Sequence, residues 1–398
     1  MRILVLSQWY PPPMEGGSVV FVYHVVSHFP CDGALVFTGP AMAAGSESFD
    51  RVHPNPVRRT SYTFIPGKSK IREAWALARV VRDVLRIVRR EEVDLIHAGY
   101  IRLDGVAAWV ISKLAGVPYV LYLYAEELTG LTTVKGWRSR VTRAVFERVI
   151  QGAAGFITVS DFTSSLLPRY GGDPAHALKL VPSVSTVARS GGRDLCRARA
   201  AYNIPERART ILIIGRLVER KGHDNLIRAL PAILVQAPDV RLIIAGRGPD
   251  LTRLEGIADE EGVRDKVTFA GFVPDAELDD LYELCDVFAM PHRELSNGDT
   301  EGCPTVFLEA NAHGKPVVGG SAGGVRDAIV DGETGLIVDG TDVNAIAAAI
   351  GRLVMDKDLA RRLGETGRRR VERDLTPGAA SARAWEFSER LLLTRAIA

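Results

Sequence analysis

A chain of 398 residues favours two domains over one, and its 46% hydrophobic and 25% charged residues are ordinary for a soluble globular protein. No stretch approaches the roughly 20 apolar residues of a membrane span, and the opening MRILVLSQWYPPP is too short an apolar run for a signal peptide. The net charge of +2 divides unevenly: residues 1–180 hold 21 Lys+Arg against 15 Asp+Glu, and the remainder 29 against 33, so the first part carries +6 and the rest −4. That bias suits an anionic surface or acceptor, and equally an uneven decoration of solvated helices. Cys31, Cys196, Cys285 and Cys303 lie far apart, with no CxxC and no metal spacing. Reduced thiols in a cytoplasmic protein are expected.

Two alternating strand–helix patterns fill the chain. Residues 2–8 read as an apolar strand, Tyr10 to Gly17 as a turn-rich loop, and Ser18 as the cap of a helix over 19–29. Strand, glycine loop, helix opens a doubly wound sheet. G-x-G-x-x-G is missing, which argues against a dinucleotide fingerprint and an NAD-linked oxidoreductase. Further strands are expected at 35–38, 94–98, 119–124 and 155–160, and helices at 71–91, 104–115 and 135–150, with 39–70 irregular. The helix 135–150 sets Trp137, Val141, Val145 and Phe146 among Arg138, Arg140, Arg143 and Arg148. A basic amphipathic helix can lie on an anionic membrane surface; more often it is an ordinary surface helix.

Residues 184–209 read as a linker with one short helix. From Thr210, strands at 211–215, 241–245, 266–270, 286–291, 316–319 and 335–338 alternate with helices, and helices fill the rest. The expected organisation is α/β: a Rossmann-like domain over 1–183, a linker over 184–209, a second Rossmann-like domain over 210–375, and a last helix over 376–398.

The stretch DVFAMPHRELSNGDTEGCPTVFLEANAHGKPVVGG carries the strongest chemical signal. A short strand feeds through a polar loop into a helix that Pro304 opens and Gly314 stops. The first N–H groups of such a helix have no intrahelical partner and favour phosphate. Glu301 and Glu309 bracket that end, able to accept hydrogen bonds from hydroxyls. Acid, phosphate-holding amides, acid suits a sugar nucleotide, with hydroxyls on both sides of a diphosphate. The paired-carboxylate hydrolase reading is the weaker use of the two acids.

A second signal is GRLVERKG, residues 215–222, between a strand and a helix. Arg216 and Lys221 bring two cations to a diphosphate, the Arg in a bidentate way and the Lys as a point charge. They would stabilise the charge that builds as a glycosyl bond breaks. Glu219 and Arg220 are expected to be solvated neighbours. Gly246-Arg247-Gly248-Pro249 and Gly271-Phe272-Val273 end two further strands, where ligands bind in such sheets; a simple turn is the alternative for Arg247. No dense Asp/His cluster calls for a metal, and no nucleic-acid partner is expected.

The string EGCPTVFLEANAHGKPVVGGSAGGVRDAIVDGETGLIVDG and the GRLVERKG loop resemble the retaining family-4 glycosyltransferases of the GT-B fold. The resemblance implies two Rossmann-like domains facing each other across a cleft, with the last helix returning to the first domain. It implies that Arg216 and Lys221 bind the donor diphosphate, Glu301 the hydroxyls of the donor sugar and Glu309 the ribose. Gly302, Cys303, Pro304, Thr305 and Val306 would supply N–H groups. Gly215, Arg247 and Val273 would border the nucleotide, Val273 reading the nucleobase through its backbone. Gly16 and Gly17 would let the backbone approach the donor phosphate or the acceptor. Attack from the front face, with the leaving phosphate taking the acceptor's proton, needs neither metal nor any cofactor beyond the nucleotide-sugar donor.

Within that family, residues 289–338 most resemble bacterial phosphatidylinositol mannosyltransferases, which suggests GDP-mannose and a lipid acceptor. A UDP-sugar donor, a small natural product and a growing surface polysaccharide stay open. The protein is expected to be cytoplasmic and able to sit peripherally at the inner face of the membrane. One departure stands out: relatives commonly carry a His-Gly pair where this chain has Tyr124-Ala125. A phenol donates a hydrogen bond but carries no positive charge. Tyr124 is therefore a catalytic candidate whose inherited role is in doubt, and a sugar-nucleotide-binding protein without turnover is kept as the alternative class.

Overall fold

A computed structural model describes residues 1–14, 16–41, 43, 45–62, 69–133, 137–185 and 195–397. They form two compact units, one of Met1–Ser183 with Pro377–Ala398 and one of Val184–Thr376. Short runs rich in Val, Ile and Leu are the strands of parallel sheets covered on both faces, buried at the centre of each sheet and only partly buried at its edges. In the first unit these are β1 (Ile3–Ser7), β2 (Ala34–Thr38), β3 (Val57–Arg59), β4 (Leu95–Ala98), β5 (Tyr119–Leu123), β6 (Gly155–Thr158) and β7 (Ala177–Lys179). Their order is β3-β2-β1-β4-β5-β6-β7. In the second they are β8 (Thr210–Ile214), β9 (Arg241–Ala245), β10 (Val267–Gly271), β11 (Val287–Met290), β12 (Val317–Gly320) and β13 (Gly335–Val338), ordered β10-β9-β8-β11-β12-β13. Neighbouring strands pair in parallel throughout.

Both sheets reverse their winding once, between β1 and β4 and between β8 and β11. Ligands in such sheets bind outside the carboxyl ends of the strands at that reversal. The loops after β8 and β11 are GRLVERKG and the polar run before the helix Thr305–Ala312. Both motif stretches of the second unit are thus delivered to one place by topology.

Several local expectations are corrected. The region 39–70 holds a helix, Ser46–Val52, as well as β3. Both are short, and proline and polar residues hide their periodicity. The first helix is Gly17–Val26, with Gly16 as its N-cap at φ 91°, so Ser18 lies inside the first turn rather than capping it. Before the helix Val106–Ala115 comes a π-helical turn, Ile101–Gly105, whose i→i+5 bond runs from the Gly105 N–H to the Tyr100 carbonyl. A helix Ala125–Thr133 follows β5 directly. The expected linker is, where described, part of the second unit, and its helix Leu195–Ala201 packs on the helix Asp275–Leu284. Residues 186–194 of that linker lie outside the described residues. None of the described helices is long and apolar enough to cross a membrane.

The last helix, Pro377–Ile397, closes the first unit. Ser381 Oγ donates to the Val25 carbonyl at 2.6 Å, and Trp385 meets Phe29 edge to face with ring centroids 5.3 Å apart. Ser388 Oγ lies 2.9 Å from Nε2 of the fully buried His97, whose Nδ1 is 3.1 Å from the Tyr122 hydroxyl. Burial pushes the His97 imidazole from 6.5 down to about 3. A buried neutral histidine stabilises the fold above its unfolded pKa, and that contribution is lost as protons bind the unfolded state first. The first unit's resistance to urea is therefore expected to weaken as pH falls from 6.5 towards 3. His97→Gln should flatten that slope; an unchanged slope would assign the acid sensitivity elsewhere.

Candidate active site

The centre of the second unit's loops is the Glu301 carboxylate. Its side chain is 11% exposed and is held on both oxygens. Arg220 Nε donates to Oε1 at 2.8 Å, and Lys221 Nζ pairs with Oε2 at 3.1 Å. Arg220 also grips both oxygens of Asp299, at 3.0 and 3.2 Å. A single 3₁₀ turn, Glu219–Lys221, makes this possible by sending two consecutive cations to one carboxylate. Burial alone would raise the Glu301 pKa, but Lys221 and then Arg220 outweigh it and hold the carboxyl at about 2. Burial likewise works against the Arg220 charge, and Glu301 and Asp299 more than offset it.

The expectation that Arg220 is a solvated neighbour is corrected: its side chain is only 16% exposed and is committed to two carboxylates. The adjacent Arg-Lys pair in a tight turn was the available signal. Arg216, by contrast, is exposed, and its guanidinium has no partner among the described residues.

The helix Thr305–Ala312 starts four residues after Glu301, with Pro304 as its extended N-cap rather than its first helical residue. Pro304 carries no N–H. Of the five residues expected to offer amides, only Gly302, Cys303, Thr305 and Val306 can do so. Glu309, one turn further on, accepts from the Tyr282 hydroxyl at 2.7 Å. Tyr282 stacks on His313 with centroids 5.2 Å apart. Sequence periodicity gave no hint of Tyr282, which lies on another helix.

Close backbone approach joins the loops. Gly222 has φ 76°, and a Cβ there would lie 2.0 Å from the Pro291 carbonyl oxygen; Gly246, at φ 143°, would put its Cβ 1.9 Å from the Gly215 oxygen. Only glycine fits such positions. Gly215 N–H donates to the Ala245 carbonyl and Gly246 N–H to Gly271, so the ends of β8, β9 and β10 are stitched in series. Arg247 is exposed and lies over the Phe272 ring at 5.5 Å, while Val273 is buried.

The remaining candidates belong to the first unit. A Cβ on Gly16 or Gly17 would meet nothing within 4 Å, so packing demands glycine at neither, and the backbone demands it only at Gly16, at φ 91°. The Tyr124 hydroxyl points to the Ser18 carbonyl at 3.4 Å, and its ring lies 5.6 Å from that of Tyr100, whose hydroxyl donates to Ser18 Oγ at 2.9 Å. Burial, with Tyr100 and Glu127, holds the Tyr124 phenol well above its ordinary pKa. The structure brings Tyr124 together with the glycine pair, at the start of the first helix.

Two family profiles match the chain. One, glycosyl transferases group 1, covers residues 197–370; the other, a glycosyl transferase 4-like domain, covers residues 16–182. The chain is 40% identical over 377 residues to the GDP-mannose-dependent alpha-(1-6)-phosphatidylinositol monomannoside mannosyltransferase of Mycobacterium tuberculosis, covering 92% of each. The chain belongs to the group 1 glycosyl transferases. It is also 32% identical over 419 residues to the D-inositol 3-phosphate glycosyltransferase of Corynebacterium jeikeium, covering 98% of this chain and 95% of that one. The Anabaena protein Alr3699/HepE, solved in complex with UDP, matches with a TM-score of 0.76 over 98% of this chain and 100% of its own, at 21% identity. That likeness shows the GT-B fold.

Loss of either cation leaves the buried Glu301 carboxylate short of a partner, and turnover is the measurement expected to register it. Arg220→Ala and Lys221→Ala are each expected to lower kcat/KM by about tenfold to a thousandfold. The depressed Glu301 carboxyl adds stability above its ordinary 4.5 and loses it as pH falls to about 2. Acid unfolding of Glu301→Gln should lack that part of the wild-type transition, and an identical acid limb would remove the ion pair from the account.

Proposed function

We propose that the protein transfers a mannosyl group from GDP-mannose to a hydroxyl of a phosphoinositide glycolipid, with retention of anomeric configuration and without a metal ion. The single observation that carries this reading is the buried Lys221–Glu301–Arg220 cluster at the N-terminus of the helix Thr305–Ala312, in a chain 40% identical to a GDP-mannose-dependent enzyme. In this reading Arg216 and Lys221 hold the diphosphate, with the amides of Gly302, Cys303, Thr305 and Val306. Glu301 accepts from sugar hydroxyls and Glu309 from the ribose. Gly215, Arg247 and Val273 border the base. Gly16, Gly17 and Tyr124 serve the acceptor and the transferred sugar. Cations and helix amides would carry the charge that a divalent ion carries elsewhere.

A free inositol phosphate is the second reading of the acceptor, favoured by the similarity to the Corynebacterium jeikeium enzyme over nearly the whole chain. The test is to incubate the full chain with GDP-mannose and either phosphatidylinositol monomannoside or inositol 3-phosphate. Nucleoside diphosphate release and the anomeric configuration of the product are followed by NMR. An α-linked product, at a rate EDTA leaves unchanged, is expected. A β-linked product, or full loss with EDTA restored by Mg²⁺, would overturn the corresponding part. UDP-sugars run in parallel decide the donor.

A peripheral membrane contact goes with a lipid acceptor. The helix expected to make it, over 135–150, is Trp137–Gln151 where described; Lys135, Gly136 and the Trp137 and Arg138 side chains lie outside the described residues. A better-supported surface is the helix Lys70–Glu91. It exposes Ile71 (82%) and Trp75 (55%) beside Arg72, Arg82 and Arg86, with Arg79 stacked 3.5 Å from the Trp75 ring. An apolar tip among arginines suits an anionic interface. Co-sedimentation with anionic vesicles is expected at low salt, fading as salt screens the charge. Trp75→Ala should weaken it, and equal binding of that variant would move the contact elsewhere.

A further inference from the structure

Asp224, the second residue of the helix His223–Gln236, is 4% exposed and lies outside the cluster around Glu301. Its Oδ1 accepts from Arg293 Nη1 at 2.8 Å and from the Asn225 N–H at 3.0 Å; its Oδ2 accepts from Arg293 Nη2 at 2.9 Å and from Arg253 Nη1 at 3.2 Å. The two arginines lead to different loops. Arg293 follows β11, and its own N–H donates to the Arg220 carbonyl at 2.9 Å. Arg253 grips Asp250 at 2.9 Å, and the Asp250 N–H reaches the Leu217 carbonyl at 3.3 Å. One buried carboxylate therefore fastens the loops after β8, β9 and β11. Those loops carry Lys221, Arg247 and Glu301.

A buried acid held by one bidentate arginine and, at one oxygen, by a second is an expensive way to achieve mere cohesion, since apolar side chains of similar volume serve as well. What ion pairs with fixed fork geometry add is register. We propose that Asp224 is a positioning residue of the donor site: through Arg293 and Arg253 it fixes the turn bearing Lys221 against the loop bearing Glu301. This deepens the donor reading above and rests on it. Asp224 touches no substrate in this scheme. Its effect reaches the diphosphate only through Lys221 and its neighbours.

The test is a double-mutant cycle between Asp224→Asn and Lys221→Ala, with GDP and UDP affinity measured by calorimetry and kcat/KM measured for the matching sugar donor. Asp224→Asn is expected to weaken nucleoside diphosphate binding and kcat/KM by about tenfold, and to cost little further in the Lys221→Ala background. A purely structural carboxylate would lower Tm and either leave the affinity of the folded protein unchanged or weaken it by a factor that multiplies with that of Lys221→Ala. Either result overturns the proposal. Arg293→Gln, which leaves Asp224 still paired with Arg253, should act in the same direction and carries the test if Asp224→Asn does not fold. A full effect of Lys221→Ala with none from Asp224→Asn or Arg293→Gln sinks this inference alone. Nucleoside diphosphate binding that Lys221→Ala leaves intact sinks the donor reading and this inference with it.

Discussion

The second unit is arranged around one electrostatic requirement: the charge on Glu301 is taken out of bulk water and must be matched. Removing one member of a buried ion pair typically costs about 3–5 kcal/mol, because its partner is left uncompensated. Here the compensation comes from Arg220 and Lys221, neighbours in sequence that share a single turn. Their geometry leaves little freedom in where that turn sits. The glycines at 222 and 246 admit backbone of neighbouring loops where a Cβ would collide. In the proposed donor reading, a phosphate beside Lys221 would meet a cation already oriented, so little reorganisation would be asked of the protein as charge develops.

Much of this was legible in the sequence, and the reason differs from element to element. The strands were legible because parallel strands buried on both faces are near-continuous apolar runs, as in TILII and VFAM. The helix start between Glu301 and Glu309 was legible because it is a local feature with local signals. Arg220 was misjudged because its partners lie about eighty residues away, at Asp299 and Glu301. Asp224, Arg293 and Tyr282 were missed for the same reason: a charge or hydroxyl acquires its meaning from what folding brings to it. The family resemblance reached the fold and the group 1 glycosyl transferases correctly, since those rest on strings of residues. It reached the partners of each side chain only as far as the strings themselves run.

The first unit shows the complementary limit. Its β-strands were readable, but the π-helical turn at Ile101–Gly105 and the aromatic pair Tyr100 and Tyr124 were not. A π-helical turn differs from an α-helix by one residue of registry, which no hydrophobic period reveals. The Ser18 cap was misplaced by a similar margin. Glycine at 16 takes the capping position, and Ser18 is left to receive the Tyr100 hydroxyl.

The last helix has a consequence for the order in which the protein is made. Residues 377–397 cover the first helix, Phe29 and His97, yet they are translated after the whole of the second unit. At about 5–20 residues per second, the nearly two hundred intervening residues take on the order of ten to forty seconds to emerge. Throughout that interval the first unit's sheet lacks its covering helix, while the second unit can complete its own sheet. The nascent chain thus holds an apolar face uncovered through that interval, on the unit made before the second one.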